Sequence, residues 1–128
     1  MRRQDDAAWP NLLRRSWFLS AVDHVNLDRL RYRVMTAMDD LFREVDILIG
    51  PALTGPMLVA SNFTGHPCLQ LRTGFAKRPV TGDETGAETR PVPQGLSLWA
   101  GLFNESVLMP FATLLEEKRA VAGKRPDL

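Results

Sequence analysis

The sequence is poor in the residues that most often declare a chemistry. Its 128 residues include one cysteine and two histidines, and the only lysines are Lys77, Lys118 and Lys124. A single cysteine cannot close an internal disulfide, which makes a reducing, cytoplasmic compartment the expectation. His24 and His66 stand far apart and have only Cys68 to join them, so the spacing suits no metal and no cofactor is expected. The serines (Ser16, Ser20, Ser61, Ser97 and Ser106) are isolated, and no Gly/Ser-rich loop accompanies them. No apolar run approaches the roughly 20 residues that span a bilayer, and acidic Asp5 and Asp6 stand where a leader's apolar core would begin. No membrane partner is therefore expected. A formal charge of +1 lacks the Lys/Arg excess of a nucleic-acid surface, so no nucleic-acid partner is expected either.

What is present is ordinary for a globular chain: 45% hydrophobic and 24% charged residues. The length fits one domain. Residues 1–19, with two Trp, several Arg and Pro10, read as an arm, either a short helix or an extended segment lying on something larger. Ser20 through Asp23 match a capping box. Val22, Leu27, Leu30, Val34, Met38, Leu41 and Val45 then recur close to every 3.6 residues, and Asp39 and Arg43 form an i,i+4 pair. This predicts a long amphipathic helix over 21–44. Its arginines could meet an anionic ligand, but a solvated helix face is the favoured reading.

Val45 to Phe75 organises the rest. Val45 to Ile49 is apolar at four of five positions and is followed by Gly50-Pro51, which predicts a strand covered on both faces. A Gly/Pro-punctuated loop leads to Asn62-Phe63-Thr64-Gly65-His66-Pro67, and a second strand runs from Cys68 to Thr73. Residues 76–94, with three prolines and no period, predict a mobile surface excursion whose tip is Thr81 to Gly86. A third strand covers 95–101. Asn104 is placed as an N-cap, with Phe103 and Leu108 as a hydrophobic staple. The last helix is expected to bury Val107, Leu108, Phe111, Leu114 and Leu115, with Pro110 kinking it or delaying its start.

The strand with its Pro51, the Asn62-to-Pro67 loop and the following strand that ends in Gly74 together resemble the C-terminal part of the amidase signature family. Trp9-Pro10-Asn11 with Arg14 and Arg15 on one side, and Gln94 to Leu98 with Phe103-Asn104-Glu105 on the other, extend the resemblance over most of the chain. Arg72 and Ser20 stand where the family commonly has prolines. The resemblance implies an α/β class, namely the C-terminal portion of an α/β/α sandwich with a mixed sheet, about three strands and two long helices. It divides 1–128, a single partial domain, into an arm (1–19), a helix with two central strands (20–75), a flexible loop (76–94), and a last strand with the C-terminal helix (95–128). The family cleaves amides with a Ser/Ser/Lys set and a Gly/Ser-rich oxyanion loop. Those elements precede the matched segment, so no catalytic residue is assigned here and the chain alone is expected to be inactive.

What the resemblance implies further is a segment that completes the sheet and part of the cleft of an amide hydrolase. Its partner would be the missing N-terminal part, self-association would occur without it, and a small amide substrate would bind only to the complete fold. The alternatives are a non-catalytic binding module on the same fold, or part of a glutaminyl/asparaginyl-tRNA amidotransferase A subunit. Asn62, Thr64, Gly65 and His66 are the candidate substrate-binding residues, by resemblance near the floor of the cleft. The competing reading has Asn62 satisfying buried backbone while Gly65 takes a positive φ. His66 and Cys68, two apart, raise a thiolate–imidazole pair, against a packed and inert thiol as the favoured reading.

Overall fold

The computed structural model describes residues 9–52, 55–79 and 89–125. Among them helix α1 spans Trp9–Ser16, α2 Ala21–Glu44, strand β1 Leu48–Pro51, helix α3 Pro56–Thr64, β2 Cys68–Pro79, β3 Thr89–Trp99 and helix α4 Leu108–Arg119, the last entered by a 3₁₀ turn at Glu105–Val107. The class is α/β with three strands, as expected. The sheet is ordered β1-β3-β2 and is antiparallel throughout, not mixed.

The long helix forms where its signals place it. Asp23 N–H donates to Ser20 Oγ while the Asp23 carboxylate accepts from the Ser20 backbone, so the capping box is complete. Arg43 pairs with Asp39 at 2.7 Å. Burial is far less than the pattern implies. Met38 is the buried residue of α2, and Val22, Leu27 and Leu30 are exposed. The helix packs against α3 through its second half, while its first half and α1 stand uncovered.

Three sequence expectations are corrected here. The 45–49 strand is a short edge strand, and Ile49 is 56% exposed, because β1 pairs with β3 on one side and has no strand on the other among the described residues. The loop before Asn62 contains helix α3. Pro56 starts it at a position where a missing N–H costs nothing, and Gly65 ends it in the left-handed region at φ +84°. The predicted excursion 76–94 is largely strand: β2 and β3 pair out to Pro79 and Thr89, and the predicted tip lies outside the described residues.

The long hairpin has a bulge at Thr73, where the ladder shifts between Arg72 and Gly74. The Arg119 guanidinium of α4 donates to the Thr73 carbonyl from Nε and Nη2 at 3.0 and 2.9 Å. Arg72 Nη2 in turn donates to the carbonyls of Val121 and Ala122, tying the segment after α4 to the sheet. Gly95 is needed at the centre, since a Cβ there would lie 2.7 Å from the Leu71 carbonyl oxygen.

One face of the sheet carries Leu69, Leu71, Leu96 and Leu98, which pack with Ala100, Val107, Leu108, Phe111, Ala112 and Leu115. The other carries Ser97 and Trp99, and Trp99 Nε1 donates to Ser61 of α3. Asn104 makes no side-chain cap bond and Phe103 is 92% exposed, so the expected staple is absent. The 3₁₀ turn takes its place and α4 begins at Leu108, two residues before Pro110. Leu114, expected inside, is half exposed. No described helix is long and apolar enough to cross a membrane.

Candidate functional site

The turn from α3 into β2 gathers part of the predicted set. Thr64 and His66 are buried, at 5% and 6% exposure, and Thr64 Oγ1 lies 2.7 Å from His66 Nδ1. Thr64 Oγ1 also donates to the Ala60 carbonyl at 2.7 Å, as the last turn of a helix allows. A hydroxyl has one proton. With that proton on Ala60 O, the Thr64 oxygen accepts from Nδ1–H, and the neutral ring keeps its lone pair on Nε2. Burial holds the His66 pKa below its ordinary 6.5, and the Asp39 charge offsets this only in part. The ring stacks on Phe42 at 5.6 Å between centroids, with 23° between the planes.

Gly65 takes the expected positive φ as the cap of α3, its N–H bonded to Ser61 O at 2.8 Å. Asn62 is exposed on the helix and does not fill buried backbone, contrary to the structural reading of that residue. The structure thus joins Thr64 to His66 and leaves Asn62 and Gly65 on the outside.

No hydrogen bond joins His66 to Cys68 among the described residues: His66 Nδ1 meets Thr64 Oγ1 and its ring stacks on Phe42, while hydrogen bonding to Ser97 and Gln70 acts on the Cys68 thiol. Desolvation pushes the thiol up from its ordinary value, those hydrogen bonds offsetting it only in part, so it stays protonated at neutral pH. The residue is exposed, not packed. The buried hydroxyls are spent on structure: Ser61 Oγ donates to Leu58 O and accepts from Trp99 Nε1 at 3.2 Å, and Ser97 Oγ donates to Pro51 O at 3.4 Å.

Two hollows lie near these residues, one at β1 and one at His66. One, of about 260 Å³, is apolar and lies along β1, lined by Leu48, Ile49, Pro51, Pro56, Met57 and Trp99 among others. The other, of about 400 Å³, is lined by Asp39, Phe42, His66 and residues 101–104. Sequence reasoning missed Asp39 and Phe42 as neighbours of His66. Their signal was their place in the last two turns of the long helix, whose packing partner α3 was itself unread. The Pro56/Gly65 bracket is the sequence signal that exposes α3.

No family model matches the chain, and neither curated proteins nor solved structures show a significant similarity to it.

Proposed function

We propose that this chain is the C-terminal segment of an amidase signature-type amide hydrolase, working in the cytoplasm, and that it completes the sheet and one wall of the cleft while a preceding segment supplies the Ser/Ser/Lys set. The observation that carries the reading is uncovered apolar surface. Among the described residues Trp9, Trp17, Phe18 and Tyr32 are each more than 70% exposed, and Leu13, Val22 and Ile49 more than half. Large apolar side chains left in water at this many positions of α1, α2 and β1 favour an interface reading.

The apolar run that predicts a doubly covered strand sits on an edge, beside the hollow lined by Ile49, Pro51 and Met57. A further strand added at β1 and a layer over α1–α2 would give those residues the cover their composition calls for. In that reading the exposed Asn62 and the α3 end of β1 face the added segment, where an amide substrate would sit.

The test is reconstitution. The chain alone should hydrolyse no simple amide above background. Co-expressed with an amidase N-terminal segment that carries the Gly/Ser-rich loop and lysine, it should form a stable one-to-one complex. Turnover by the rigorously purified chain alone would overturn the proposal.

A further inference from the structure

The hollow at His66 is formed by α2, the α3–β2 turn and residues 101–104 of this chain alone, so what it binds can be argued apart from the assembly proposed above. At about 400 Å³ it falls in the range of small-molecule sites. Two of its polar side chains, His66 and Asp39, offer hydrogen-bond acceptors, and the Asn104 amide can donate or accept. His66, buried and fixed through Nδ1, has no partner at Nε2 among the described residues. Asp39 gives one carboxylate oxygen, Oδ2, to Arg43.

Charge points the same way. Arg43 is shared between Asp39 at 2.7 Å and Asp40 at 3.7 Å, so this cluster is left one charge negative. Two phenylalanines line it: Phe42 stacks on His66, and Phe103 stands 92% exposed with its backbone in the left-handed region at φ 60°. A non-glycine residue held there costs energy and turns a large apolar side chain to solvent. Aromatic faces beside a negative cluster attract cations.

We infer that the hollow binds a small organic ammonium ion, with the N–H donors meeting His66 Nε2 and the Asp39 carboxylate and the apolar part lying among Phe42, Leu102 and Phe103. The negative charge of the Asp39/Asp40/Arg43 cluster disfavours a carboxylate or phosphate ligand.

The two histidines make the test direct. The full chain, labelled with ¹⁵N-histidine, is titrated with benzylamine, and in parallel with benzyl alcohol as its uncharged isostere. Benzylamine should move the His66 Nε2 resonance toward the hydrogen-bonded position and leave exposed His24 in place. The alcohol should bind about tenfold more weakly or worse, and so should benzylamine to Asp39→Asn, a change at a side chain 64% exposed whose melting temperature should match the wild type. The inference is overturned if His66 does not respond at millimolar amine, if His24 moves equally, or if the alcohol or Asp39→Asn binds as well as the reference pair. Because the readout is a single ring inside one chain, failure here is separable from failure of the assembly proposal, which is read from complex formation.

Discussion

At the scale of single residues, His66 is held by two different forces. A hydrogen bond to Thr64 fixes the tautomer, and burial disfavours its charged form. The second makes stability depend on pH. The folded pKa is depressed, so below the ordinary value of 6.5 the unfolded chain binds more protons than the folded one. Stability should therefore be flat above that value and fall as pH drops through it, until the folded-state pKa is passed. Melting of the wild type and of His66→Gln between neutral and acidic pH checks this, and the glutamine variant should show the shallower decline. Ser20 offers a second residue-scale prediction. Ser20→Ala removes the oxygen that caps Asp23 N–H, which should cost about 1 kcal/mol and fray the first turn of α2. A loss of helical circular dichroism at fixed temperature would register it.

At the scale of elements, the hairpin β2–β3 and α4 form one unit, joined by Arg119 at the Thr73 bulge and by Arg72 at the segment after α4. Gly95→Ala should break it, since the new methyl would meet the Leu71 carbonyl at 2.7 Å and the Ala52 side chain at 3.2 Å. Overpacking of this kind costs about 1–3 kcal/mol, and hydrogen exchange of the Leu69–Leu71 amides should accelerate. This level was partly legible in the sequence. Ser20, Asp23 and the 3.6-residue period declare α2 through local chemistry alone. Leu69 and Leu71 alternating against Cys68 and Gln70 declare β2. What stayed hidden depended on contacts between distant residues. Lys77 through Pro79 look like loop until their pairing with Thr89 to Pro91 is known, and Gly55-Pro56 reads as a breaker when it is the entry to α3. Among the candidate site residues, positive φ at Gly65 was legible, whereas the inward turn of Thr64 and the company of Phe42 and Asp39 at His66 required the packing of α2 on α3.

At the scale of the whole molecule, the question is what covers the exposed apolar side chains of α1 and α2 and the edge of β1 that has no strand partner among the described residues. Leaving Trp17, Phe18, Val22 and Ile49 in water forgoes roughly 1.5–3 kcal/mol per side chain relative to burial, which favours association of the chain with something. Without its complement it should meet itself, through the same surfaces. Sedimentation or light scattering of the purified chain, with and without an amidase N-terminal segment that carries the Gly/Ser-rich loop and lysine, tests this most directly. The expected result is species well above 14.4 kDa for the chain alone, converting to a defined one-to-one complex when the segment is supplied. A stable 14.4 kDa monomer with a single cooperative melt and no affinity for that segment would contradict it.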